Sequence, residues 1–214
     1  MCIRNRLYPY PPAPNPQRLH IFMREKGIEI PTEQVNLMER EQLQEPFRSI
    51  NPLCTVPALL TDEGPVLGQV NAICDYLEAL HPAKPLLGRD PLEKALVREW
   101  CHRIFMEGLM AIAEAFRNGN PAFANRALPG PTDCAQIPAL VERGLQRLDL
   151  FFHTLDAHLA GREYMVGDAF SMADIDAFVS CGFSGWIRKS IPADCANLKR
   201  WHAAIAQRAC VQAA

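Results

Sequence analysis

Apolar positions along the first eighty residues alternate between strand-like and helix-like spacing. Ile3 to Tyr8 predicts a short strand, closed by Pro9, Pro11, Pro12 and Pro14, which cannot continue a ladder. Asn15 then reads as a helix N-cap with Pro16 at the first helical position. Leu19, Phe22 and Met23 recur at helical spacing, and Gly27 is a natural stop. Val35 and Leu37, between polar neighbours, predict a second strand. Val56 to Leu60 predicts a third, and the turn Thr61-Asp62-Glu63-Gly64 returns Val66-Leu67 antiparallel to it. Val70, Ile73, Cys74, Leu77 and Leu80 then line one face of a helix. Strand, helix, strand, irregular stretch, hairpin and helix is the order of a thioredoxin-like α/β module.

Prolines and a glycine between Pro82 and Pro91 break this pattern, and beyond them every periodic segment is helical. Leu92, Leu96, Trp100, Ile104 and Leu109 predict one long helix, and Asn118 to Pro131 a loop. From Ile137 to Leu159 the stripe through Leu140, Gly144, Leu148, Phe151, Phe152 and Leu155 keeps a 3.6-residue period. Phe170-Ser171-Met172-Ala173-Asp174-Ile175 carries a capping box, Ser171 to Asp174, and Leu198, Trp201 and Ile205 predict a last helix. The expected organisation is an α/β domain over 1–83, a linker over 84–90 and an all-helical domain over 91–214.

Composition narrows the function classes. With 214 residues, 49% hydrophobic and 21% charged, the chain is too apolar for disorder and long enough to build its own core. A net charge of −2 offers no basic footprint for nucleic acid or anionic lipid, and no apolar run is long enough to span a bilayer. The first residues lack the apolar stretch of a signal peptide. None of the eight cysteines forms a C-x-x-C pair, so neither a disulfide framework nor a zinc site is expected, and the thiols read as reduced in a cytoplasmic protein.

Several segments, in order, resemble the soluble glutathione S-transferases of a bacterial and fungal, theta-like branch. Asn51-Pro52-Leu53-Cys54-Thr55-Val56-Pro57-Ala58-Leu59 resembles that family's N-P-x-G-x-V-P-x-L, with Cys54 where glycine is usual. Gly68-Gln69-Val70-Asn71-Ala72-Ile73 through Tyr76-Leu77 is similar to its E-S-x-A-I-x-x-Y-L. Gly167-Asp168 through Asp174 matches the capping signature of its helical domain, and Ala13-Pro14-Asn15-Pro16 with Arg18, followed by Glu25-Lys26-Gly27, resembles that bacterial and fungal branch. The resemblance implies glutathione as co-substrate, a small-molecule electrophile, a homodimer, and addition of the glutathione thiolate to that electrophile. A non-catalytic binding or scaffold protein on the same fold, and a glutathione-dependent peroxidase, are the alternatives.

The resemblance also assigns roles residue by residue. The main chain of Val56, before a cis-Pro57, would pair with the cysteinyl part of glutathione. Gln69 and Val70 stand where Glu-Ser usually holds the γ-glutamyl end, leaving the helix N-terminus to take the carboxylate. A lost charged hydrogen bond is worth roughly 1.5–3 kcal/mol, so affinity would fall about tenfold to a hundredfold. Gln42 stands where a His often meets the glycyl carboxylate. Ala13 replaces the catalytic serine, which leaves Tyr10, as phenol or aromatic wall, and Asn15, at the end of the first helix, as candidates to activate the thiol. Ile104, Phe105 and Met110 would line the electrophile pocket, although core packing explains them equally well. His102 and Glu107 lie near it, on the same helix.

Overall fold

The structure, a computed structural model, describes residues 5–212. It divides into two compact units, one of residues 1–84 with 128–132, the other of residues 85–127 with 133–214.

The first unit is built on a three-stranded sheet, with β1 Arg6–Tyr8, β2 Ala58–Leu60 and β3 Val66–Leu67 in that order. β1 pairs antiparallel to β2 with Leu7 opposite Leu59, and β2 antiparallel to β3 with Leu60 opposite Val66. The hairpin is the predicted one, closed by the Gly64 N–H on the Thr61 carbonyl. Ile3 and Arg4 of the predicted first strand lie outside the described residues. The predicted strand at Val35 and Leu37 does not form. Instead residues 31–35 run parallel beside β1 with a single bridge, Leu7 to Thr32, and bonds from Glu33 N–H to Leu7 and Val35 N–H to Pro9. Pro9 and Pro31 have no N–H to give, so the ladder cannot extend.

Helix α1, Pro14–Lys26, buries Leu19, Ile21, Phe22 and Met23. It starts one residue earlier than expected, with Ala13 as N-cap and Pro14 as first helical residue, so Asn15 is inside the helix and does not cap it. The fixed φ of Pro14 suits a first helical position, and proline's missing N–H costs nothing there. A 3-10 turn at Glu41–Leu43 and the short α2, Phe47–Ile50, follow; α3, Val70–Leu80, then buries Val70, Ile73, Cys74 and Leu77 and leaves Leu80 exposed.

The second unit is helical. The predicted long helix is α4, Pro91–Arg103, a π-helical turn at Ile104–Leu109, and α5, Met110–Gly119. Its buried face is Val97, Cys101, Ile104 and Leu109, while Leu92 and Leu96 are exposed, so the predicted stripe holds at Ile104 and Leu109 and is turned outward at its start. α6, Ala139–His158, buries Gly144, Leu148, Phe151, Phe152 and Leu155 as its period predicts. Close approach to it explains the glycines. A Cβ on Gly108 would lie 2.5 Å from the Phe151 ring, and one on Gly144 2.6 Å from the Ala111 carbonyl. α7, Met172–Phe183, starts on the Ser171–Asp174 capping box. α8, Ala196–Ala206, buries Leu198, Trp201 and Ile205, and α9, Ala209–Gln212, ends the described chain. No helix among the described residues is long and apolar enough to cross a membrane.

Candidate functional site

Three elements of the first unit meet around two helix N-termini. The first is the loop before β2. Asn51, buried, donates from Nδ2 to the Thr55 carbonyl at 2.8 Å and accepts the Leu53 N–H at 3.2 Å, while the Cys54 N–H bonds the Asn51 carbonyl. These bonds wrap the loop tightly enough to put Cys54 at φ 54°, in the left-handed region that favours glycine. That requirement explains why glycine is usual in the corresponding segment of the family the sequence resembles. The loop ends in a cis Val56–Pro57 peptide. Among the described residues no backbone group pairs with the N–H or C=O of half-buried Val56. An extended peptide laid beside it would find both a donor and an acceptor.

The second element is the start of α3. A Cβ on Gly68 would touch the Asn51 amide at 3.5 Å, so the turn into α3 lies against the loop. Gln69 is the N-cap, extended and exposed, with no side-chain cap bond; Val70 is buried. The first turn of α3 contains no acidic residue, which leaves its N–H groups and the positive end of its dipole open to an anion.

The third is the start of α1, where the sequence rations donors. Pro14 and Pro16 have no N–H, the Ala13 N–H is taken by the Tyr10 carbonyl at 2.9 Å, and the Gln17 N–H by the Ala13 carbonyl. The Asn15 N–H is therefore the donor left in the first turn. Arg18, 2% exposed, joins the two helix ends: Nη1 donates to Asn15 Oδ1 at 3.0 Å and Nη2 to Asn71 Oδ1 at 3.1 Å. With its oxygen held, Asn15 has the Nδ2 amide donor to offer elsewhere. Two helix N-termini with no carboxylate in either first turn make this locus suited to thiolate and carboxylate.

Of the predicted residues, Asn15, Val56, Pro57, Gln69 and Val70 fall on these three elements, and Tyr10 is half-buried in the turn leading to α1. Gln42 sits in the 3-10 turn upstream. It is buried, and its Oε1 has no hydrogen-bond partner among the described residues. In the second unit Ile104 is fully buried in the core, which gives it a packing position, while Phe105 and Met110 are half-buried. His102 is exposed and Glu107 pairs with Arg103 at 3.1 Å. Arg18 and Asn71 escaped the sequence reading as site residues. The available signal was an arginine four positions before Phe22, on the apolar stripe of α1, where a solvated charge has no place.

Comparison with known proteins agrees with this geometry. The model of the glutathione S-transferase N-terminal domain matches residues 13–80, and that of the C-terminal domain matches residues 115–209. Glutathione S-transferase 2 of Saccharomyces cerevisiae is 29% identical over 211 residues, covering 96% of this chain and 87% of its own. Maleylacetoacetate isomerase of Rattus norvegicus is 30% identical over 176 residues, 79% of this chain and 73% of its own. The crystal structure of Gtt2 from Saccharomyces cerevisiae superposes with a TM-score of 0.88 at 28% identity, covering 97% of this chain and 99% of that one. The chain belongs to the glutathione S-transferase family, with its thioredoxin-like α/β domain followed by an all-helical domain.

Proposed function

We propose that the protein is an active glutathione transferase that binds glutathione in its first unit and adds the thiolate to a small apolar electrophile. The observation that carries this reading is the buried Arg18, which ties the N-termini of α1 and α3 through Asn15 and Asn71. The unpaired main chain of Val56 takes the cysteinyl backbone. Gln69 and the open N–H groups of α3 take the γ-glutamyl end, and the Nε2 donor of the Gln42 amide takes the glycyl carboxylate.

The sulfur is then held at the start of α1. The Asn15 N–H and side-chain amide, with the helix dipole, favour the charged form, and a free thiol of pKa about 8.5 drops by a unit or more in such surroundings. The proton leaves to solvent, and the sulfur lone pair forms the new carbon–sulfur bond. Ala13 contributes only a methyl group, so the activation falls to Asn15 rather than to a hydroxyl. In the second unit, Phe105 and Met110 are our candidates for contact with the electrophile. Tyr10 serves as an aromatic wall. Conjugation of this kind is detoxification chemistry, and the reading carries with it a cytoplasmic location and a homodimer, the latter tested by light scattering on the purified protein.

The deciding experiment is calorimetric titration with reduced glutathione across pH 6 to 9 in buffers of different ionisation enthalpy. Binding with proton release near neutral pH supports thiol activation. Binding without proton release would replace this reading with a non-catalytic glutathione-binding protein, and no binding at millimolar glutathione would overturn it.

A further inference from the structure

Far along the chain from the glutathione elements, the second unit assembles side chains that share no sequence motif. His153, on α6, brings its imidazole to Asp194 and Cys195 in the segment leading into α8; one ligand atom from each lies within 4.8 Å of the others. Asp156, also on α6, holds that segment by accepting the Leu198 N–H at 2.9 Å.

The orientation of His153 is set from behind. Its Nδ1 lies 2.8 Å from the Asp149 carbonyl oxygen, which can only accept, so Nδ1 carries a proton. Nε2 faces Asp194 Oδ2 at 3.3 Å. In the neutral imidazole this sets a lone pair against a carboxylate oxygen, and two acceptors at that separation require a cation between them. A shared proton meets the need, as an N–H···O bond at 3.3 Å, and so does a metal ion. The separation suits the second as well: nitrogen and oxygen bonded to tetrahedral zinc at about 2.1 Å stand roughly 3.4 Å apart.

Cys195 supplies the second, independent observation. Its residue is 1% exposed, and its thiol has no hydrogen-bond partner among the described residues, yet the sulfur points into this cluster. The charges felt at the thiol are Asp149, Asp156 and Asp194 against one ammonium, Lys199. We propose that His153 Nε2, the Asp194 carboxylate and Cys195 Sγ form a binding site for a divalent metal of zinc type, with water as fourth ligand and the Asp149 carbonyl orienting the histidine.

The ligand set is nitrogen, oxygen and sulfur, the mixture that borderline metals take and that magnesium and calcium do not. Metal binding forms a metal–sulfur bond and releases the thiol proton to solvent. Cysteine spacing carries no signal for a site of this kind, whose histidine and cysteine are 42 positions apart and approach through α6 and the segment leading into α8.

The test uses the full chain, reduced and stripped with a chelator. It is titrated with zinc in competition with a chromophoric chelator, and separately with cobalt, whose absorption reports tetrahedral geometry and a thiolate ligand. One equivalent should bind, with a thiolate-to-cobalt band. His153→Ala and Cys195→Ser should each weaken binding at least tenfold, since loss of even an outer partner costs 10- to 100-fold. Cys134→Ser, a half-exposed thiol outside the cluster, should change nothing. His153 is exposed, so its substitution reads the site even if the cysteine variant folds poorly. No binding at micromolar zinc, or binding that both variants leave unchanged, overturns the proposal.

Discussion

Asp174 should be the costliest single side chain to remove from the helical unit. It is fully buried and accepts four hydrogen bonds: Met165 N–H at 2.8 Å, Ser171 N–H at 3.0 Å, Ser171 Oγ at 3.0 Å and Trp201 Nε1 at 3.2 Å. One carboxylate thus fixes the start of α7, the chain before it and the buried indole of α8. Asp174→Ala leaves three buried N–H groups without acceptors, each worth about 1–3 kcal/mol before relaxation. Partial collapse and water entry bring the expected loss to about 4 kcal/mol, in the range for breaking a buried charged network. For a protein of this size that is roughly 10 °C in melting temperature. Asp174→Asn keeps an acceptor for Met165 and Trp201 but turns a donor toward the Ser171 N–H, so its loss should be about half as large.

The same residue predicts a pH dependence. Burial outweighs the four donors and pushes the carboxyl up to about 6. The unfolded value is about 4, so between these values the native state binds the proton more tightly. The stability contributed by Asp174 therefore falls as pH rises from about 4 to about 6, by up to about 3 kcal/mol, and is flat above. Urea unfolding of wild type and both variants at pH 4.5, 5.5 and 7 checks it, provided the slope of free energy on urea is shared. A loss under 1 kcal/mol in Asp174→Ala, or a gap between wild type and Asp174→Asn that widens with rising pH, would refute the reasoning.

Two neighbouring sorts of glycine should respond oppositely. Gly144→Ala forces a Cβ against the Ala111 carbonyl and should destabilise by about 1–3 kcal/mol in thermal melts. Gly182→Ala, inside α7 with nothing within 4 Å, should stabilise by up to about 1 kcal/mol. At the glutathione elements, Asn15→Ala should raise the pKa of the bound thiol by about a unit with little change in affinity, read by the ultraviolet absorbance of the thiolate. Arg18→Met should weaken glutathione about tenfold by freeing both asparagines, and the protein should still melt cooperatively. Gln69→Glu restores a charge opposite the γ-glutamyl ammonium at an exposed N-cap and should tighten binding about tenfold by calorimetry.

What could be read from the sequence was whatever depended on local pattern. The α6 stripe, the α3 face, the Thr61–Gly64 hairpin and the Ser171–Asp174 box each follow from residues within a few positions of one another, and each is in the structure. The failures share a different cause. The strand at Val35 was lost because Pro9 and Pro31 withhold donors from β1 and its neighbour, a property of two segments together. The long helix was misaligned because its outward leucines, Leu92 and Leu96, are as apolar as its inward Val97 and Cys101. Yet the step from Ile104 to Leu109 is five residues where helical stripes run in threes and fours, and five is the spacing of a π turn.

The site divides along the same line. Motif positions could be proposed one at a time, because each lies in a short segment whose order is readable. How they cooperate could not, because the coupling runs through Arg18, whose partners are 3 positions away in one direction and 53 in the other. On the proposed role of Asn15, that coupling offers the donor a serine would supply: two prolines reduce the first turn to one free N–H, and a buried guanidinium holds the asparagine beside it. Ala13→Ser should then raise turnover little, whereas Asn15→Ala should abolish most of it. A large gain from the serine would show that Asn15 does not supply the donor.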